Sequence, residues 1–240
     1  MKINQKIKAL CVGSALALSG TMVAENPFLS DYNTPFNIPP FEKITEDDYL
    51  PALKEGIARH NRDIEAIINN RALPDFDNTV VAFDNAGQLL ENVMYAFNGV
   101  YETLQTPHMQ EVGGEIFPLM AAHSDEIMMN DRLFARFREV YDNQAKFNLT
   151  KPQKRLLEKY YKSFVRSGAL LTPEQKAELK KINEQLASLN LAFGNNIVKD
   201  TNKWKLVVDK KEDLSGLPAS SIAVAAEEAE TMGLKGKWVF

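Results

Sequence analysis

TPEQKAELKKINEQLASLNLAF, residues 172–193, decides the fold class. Thr172 offers a hydroxyl cap, Pro173 falls in the first turn, where a missing N–H costs nothing, and Gln175 stands three positions after the threonine. Leu179, Ile182, Leu186, Leu189 and Phe193 then recur at steps of three and four, a heptad-like seam along a long helix. The expected cover for that seam is a neighbouring helix of the same domain; the alternative is a second chain.

Working outward, Thr150-Lys151-Pro152-Gln153 repeats the same start, and Gly168 falls where a helix C-terminal cap belongs. Asp131 can open a helix through Leu133, Phe134, Phe137, Val140 and Tyr141. The stretch from Met109 to Met129 reads as another, interrupted or kinked near Pro118. Asp77-Asn78 can cap a helix whose buried stripe includes Phe83, Leu90, Val93, Phe97 and Val100. Thr45-Glu46-Asp47-Asp48 resembles a capping box, followed by Leu53, Ile57, His60, Ile64 and Ile67 at helical spacing, with Pro51 in or near the first turns. The fold class is therefore mainly α, with a helical domain over residues 45–200. Before it, residues 25–44 alternate Pro27, Pro35, Pro39 and Pro40 with Phe28, Phe36 and Phe41. That pattern predicts an extended arm whose spaced aromatics bury against the body.

After residue 200 the character changes. Trp204-Lys205-Leu206-Val207-Val208 reads as a strand, Asp213–Pro218 as a turn into an alanine-rich helix ending near Gly233, and Lys237-Trp238-Val239-Phe240 as a second strand able to pair with the first. Residues 201–240 thus open a mixed α/β segment. Its apolar last residues predict a chain that continues in its intact form; the alternative is a strand that docks back into this domain.

Residues 1–24 have the layout of a secretory signal peptide: Lys2, Lys6 and Lys8, then an apolar core from Ala9 to Leu18, then small residues to Ala24. The core is too short to span a bilayer, and Cys11 within it is not placed like a lipid-modified cysteine. Export, to a periplasm, is expected. Removal takes three of the 28 basic residues and leaves 25 against 32 acidic ones, a net charge of about −7. An acidic body argues against a nucleic-acid partner. The mature chain keeps no cysteine, so thiolate metal sites and thiol nucleophiles are excluded. A monomer without a transmembrane helix is expected.

No constellation assembles a catalytic site. Of the three histidines, His60 lies in an apolar helical stripe and reads as a packing residue. His108 and His123 are fifteen apart and would not face a common metal. None belongs to an H-E-x-x-H pattern. Glu46, Asp47 and Asp48 suit a helix N-terminus, and Glu227, Glu228 and Glu230 a solvated helix face whose alanines point inward. Ser167-Gly168 is a helix end rather than a nucleophile elbow. Gly113-Gly114 reads as a kink or close packing point, and the sequon Asn148-Leu149-Thr150 is better explained by Thr150 as a cap. No catalytic or metal residue is assigned, and no substrate-binding residue is identified.

The order of several segments is informative. Asn26-Pro27-Phe28, Pro39-Pro40-Phe41-Glu42-Lys43-Ile44 and Tyr49-Leu50-Pro51-Ala52 come first. Phe76-Asp77-Asn78-Thr79, Leu133-Phe134-Ala135-Arg136, Phe164–Ala169 and Asp213–Pro218 follow. Together they resemble the N-terminal part of the thimet-oligopeptidase-like zinc metallopeptidases, most closely the bacterial peptidyl-dipeptidase branch. The resemblance implies a helical two-lobed enzyme with a deep channel that admits short peptides and releases C-terminal dipeptides. It also implies one zinc held by the two histidines of H-E-x-x-H and a later glutamate, with the motif glutamate as general base. Those residues belong to the family's C-terminal half and match no position here. The chain is therefore expected to be inactive and zinc-free alone, with the missing half as its natural partner. The alternative is a non-enzymatic exported helical module that binds peptides or a protein.

Overall fold

The computed structural model describes residues 26–104 and 106–240, so the signal-peptide reading of residues 1–24 lies outside it. Helices α1 (Glu46–Ile68), α2 (Ala82–Asp84), α3 (Gln88–Tyr101), α4 (Pro107–Met128), α5 (Asp131–Asp142), α6 (Lys151–Arg166) and α7 (Pro173–Lys203) follow one another. After them come β1 (Val207–Val208), α8 (Ala219–Thr231) and β2 (Trp238–Val239). The class is mainly α.

The helix starts follow their chemistry. The Thr45 backbone N–H and hydroxyl donate to Asp48 Oδ2 at 2.7 and 2.8 Å. Thr150 and Thr172 close capping boxes with Gln153 and Gln175. Gly168 has φ 98°, and the Ala169 and Gly168 N–H groups donate back to Phe164 and Val165, which ends α6 in a left-handed turn that glycine adopts without strain.

Two expectations need correction and a third is narrowed. The helix assigned to Asp77-Asn78 begins at Asp75, whose carboxylate accepts the Asn78 N–H at 2.7 Å while Asn78 Oδ1 accepts the Asp75 N–H. It starts as a π-helical turn (Phe76–Val81), becomes α2, and breaks at Gly87 (φ 75°) before α3. The stripe from Phe83 to Val100 therefore spans two helices. Of the two alternatives at Pro118, an interruption or a kink, the interruption is ruled out: α4 continues through Pro118 to Met128. Of the three phenylalanines of the arm, Phe28 buries, 5.3 Å from the Tyr49 ring, while Phe36 is 96% exposed and Phe41 is exposed too.

Two apolar clusters form the core. The first joins Phe28, the front of α1 (Tyr49, Ala52, Leu53), α3 (Val93, Phe97, Tyr101) and α4 (Met109, Ile116). The second joins the rear of α1 (Ile64, Ile67, Ile68) to Phe76, Val80, Ile127, α5 (Leu133, Phe134, Phe137) and α6 (Leu157, Phe164). Full burial stabilises by about 1.5–3 kcal/mol for each such Leu, Ile or Phe, so both clusters hold α1 firmly. Beyond α7, β1 and β2 pair antiparallel, Val207 opposite Val239 and Val208 opposite Trp238, with α8 packed on β2 through Ala225 and Ala229.

The α1–α3 crossing depends on Gly56, where an added Cβ would lie 2.9 Å from the Leu90 Cα. Gly114, on the exposed side of α4, meets nothing within 4 Å. Gly56→Ala should lower stability by roughly 1–3 kcal/mol through overpacking, and Gly114→Ala should raise it by roughly 0.5–1 kcal/mol through helix propensity. Urea melts of the two variants, compared by midpoint at constant slope, check both signs.

Candidate functional site

Folding separates the three histidines into two environments. His60 of α1 and His123 of α4 come together, His123 Nε2 lying 3.0 Å from His60 Nδ1 with the rings edge-on at 5.0 Å between centroids. The sequence reading considered His108 with His123 and missed this contact, because 63 positions separate the pair and no local spacing announces it. His123 is 4% exposed, and its buried Nδ1 has no hydrogen-bond partner among the described residues. Burial lowers its pKa to about 4, with the His60 charge adding to the effect. Burial also lowers His60, against the opposing pull of Asp63 and Glu91.

A pocket of about 290 Å³ opens beside the pair, at the gap that the α2–α3 break leaves between helices. Phe83, Leu90, Met94, Met120 and Met128 give it an apolar wall, and Asp84, Glu91 and Tyr160 contribute polar groups. The Tyr160 hydroxyl donates to Asp84, and burial followed by that carboxylate pushes the phenol pKa well up.

Zinc does not fit this arrangement. Among the described residues no three or more His, Cys, Asp or Glu side chains are grouped to hold a metal ion. The buried His123 Nδ1 also lacks the acceptor that normally orients a ligating imidazole.

The remaining sequence candidates have structural work. Asp48 caps α1, Glu46 accepts the Thr106 hydroxyl at 2.7 Å, and Asp47 lies 2.7 Å from His108 Nε2, so the acidic cluster ties the start of α1 to the start of α4. Gly113 is a close packing point: a Cβ there would lie 2.6 Å from the Tyr101 ring. Ser167 ends α6, Thr150 caps it, and Glu227, Glu228 and Glu230 are exposed on α8.

The long helix α7 corrects the seam expectation. It does pack on a helix of the same domain, α4, but through a different face. Buried Lys176 donates to the Met129 carbonyl at 2.9 Å and to Asp131, Asn183 donates to Asp125 at 2.8 Å, and the Tyr101 hydroxyl donates to Asn195 at 3.3 Å. Ile182, Leu186, Leu189 and Phe193 stay exposed, between 43% and 68%, and Ile197 extends their line. Between Tyr101, Phe117 and the Ala187–Val198 side of α7 lies a groove of about 470 Å³. Sequence reasoning missed the polar face because its three residues carry no periodic apolar signal.

Hydrogen bonds donated by the His108 ring to the Asp47 and Glu111 carboxylates raise its pKa above the usual 6.5. Because the folded value is the higher, this contact's stabilisation is complete below pH 6.5 and is lost as pH rises through the folded pKa. Asp47→Asn should return the His108 titration, followed by its imidazole NMR signals, toward the ordinary value.

No family model matches the chain. Among curated proteins it is 33% identical over 216 residues to a dipeptidyl carboxypeptidase of Salmonella typhimurium, covering 90% of this chain and 32% of that protein. A dipeptidyl carboxypeptidase of Escherichia coli is 32% identical over 91% of the chain and 32% of its own length. Oligopeptidase A of Escherichia coli is 24% identical over 88% of the chain and 30% of its own length. The chain spans about a third of the length of these relatives. It is a homologue, over that part of their length, of the dipeptidyl carboxypeptidases and oligopeptidases A of the thimet-oligopeptidase family.

Proposed function

We propose that this chain is the N-terminal helical portion of an exported zinc metallopeptidase of the peptidyl-dipeptidase type, which hydrolyses short peptides and releases C-terminal dipeptides. The observation that carries the reading is the match along 90% of the chain to dipeptidyl carboxypeptidases about three times as long. The higher identity to these than to oligopeptidase A, 33% against 24%, favours the dipeptide-releasing type. Export rests on the basic and apolar start of residues 1–24.

In this reading the zinc ligands and the general base stand in the part of the parent that this chain does not match, and the chain alone is inactive. What it contributes is a rigid wall. The two apolar clusters fix α1, α3 and α4, and α7 lies across α4 with its apolar stripe turned outward. An exposed line of Ile182, Leu186, Leu189, Phe193 and Ile197 is the kind of surface that another body of protein covers. The rest of the peptidase is the proposed cover.

The test joins this chain, in place of the matching third, to the remainder of the Escherichia coli dipeptidyl carboxypeptidase. The chimera should release C-terminal dipeptides from a short N-blocked peptide, while this chain alone, supplied with zinc, should release none. The chain alone should bind a hydrophobic dye, and Leu189→Glu with Phe193→Ser should reduce that binding several-fold. Zinc-dependent hydrolysis by the chain itself would overturn the reading. An inactive chimera together with a cooperatively folded, dye-silent monomer would favour the peptide- or protein-binding module instead.

A further inference from the structure

His60 lies on α1 between Leu53, in one apolar cluster, and Ile64, in the other. His123 lies on α4 between Ile116 and Ile127, which divide between the clusters in the same way. The imidazole pair therefore stands at the junction of the two cores, on the two helices that both cores share.

Its geometry excludes protonation of both rings at once. A nitrogen separation of 3.0 Å is a hydrogen bond only if one nitrogen carries a proton and the other a lone pair. Protonating both rings sets two N–H groups head to head and places two positive charges in contact. The rings have little freedom to turn away. Behind His60 the Gly87 backbone is so close that a Cβ would lie 2.8 Å from the imidazole Cγ, and the Gly87 N–H is held by Asp63 at 3.1 Å. Relief must come from movement of helices, and the adjoining pocket of about 290 Å³ gives them space and water a way in.

We propose that His60 and His123 form a proton-operated latch between α1 and α4, closed near neutral pH and released in acid, that joins or parts the two apolar cores.

The surrounding charges set its range. Asp63 on α1 and Glu91 on α3 act on His60 and favour its charged form. From α2 and α6, Asp84 and Tyr160 line the pocket but are bonded to each other. On α4, Asp125 is engaged by Asn183 of α7, and on α5 Arg136 is turned to the Asn70 carbonyl and Asn78. Burial lowers both imidazoles, His60 against the pull of Asp63 and Glu91 and His123 to about 4 with the His60 charge adding to the effect. Both folded values are depressed, so the latch contributes its full stability above pH 6.5 and loses it as pH falls toward about 4.

The test is amide hydrogen exchange of the full chain between pH 7.5 and 4, corrected for intrinsic rates, with imidazole NMR signals and far-UV circular dichroism followed in parallel. Amides of α1 and α4 flanking the pair should lose protection by about tenfold or more per pH unit through the window, while most helical signal persists. His123→Leu should abolish that acid-linked loss, and His108→Gln should leave it unchanged. Equal loss in His123→Leu and the unsubstituted chain would overturn the proposal. So would seam amides that stay protected to pH 4 while both imidazoles titrate. If His123→Leu does not fold at pH 7.5, the imidazole titration of the unsubstituted chain decides with the exchange data. Depressed values coinciding with seam opening support the latch, and titration of both rings near 6.5 refutes it.

Discussion

Everything in the bundle depends on α1 being buried twice. One helix of 23 residues gives its front to Phe28, Phe97 and Met109 and its rear to Phe76, Phe137 and Phe164. A helix between two cores cannot be apolar throughout, since its middle must pass from one to the other. Here that passage is made by Gly56, which lets α3 approach, and by His60, which is amphipathic enough to be half-buried. α4 solves the same problem with His123 opposite. The polar pair is thus a product of the architecture, and its cost is the unpartnered Nδ1 of His123.

Much of the fold was legible in the sequence because helix starts are local. Thr45, Thr150 and Thr172 cap through residues three positions away, and Leu133, Phe134, Phe137 and Val140 bury along one face of α5 as their spacing requires. The departures have physical causes. Asp75 displaced Asp77 as a cap because Asn78 can bond back to it, a reciprocity that composition does not rank. Phe36 is exposed because its backbone turns left-handed, at φ 58°, and carries the ring outward.

The candidate site was far less legible. His60 was correctly placed on the packed stripe of α1, but its partner is a tertiary fact. The meeting of His60 with His123 requires α1 and α4 to cross at one height, which follows from core packing rather than from either helix alone. The same holds for Lys176, whose burial depends on the Met129 carbonyl left free at the end of α4. Family resemblance was legible for another reason: short segments in fixed order persist where no single one is diagnostic.

The two faces of α7 divide tasks that one face usually combines. A slide of α7 by one turn along α4 would leave Lys176, Asn183 and Asn195 without their acceptors or donors at once, so the polar face acts as an address that admits a single alignment. The apolar stripe holds no such information: isoleucine, leucine and phenylalanine adhere in many alignments. A helix built this way can be placed in one alignment by its own bundle and still keep a free adhesive edge. Whatever settles on that edge inherits its alignment from the address side, without having to encode it again.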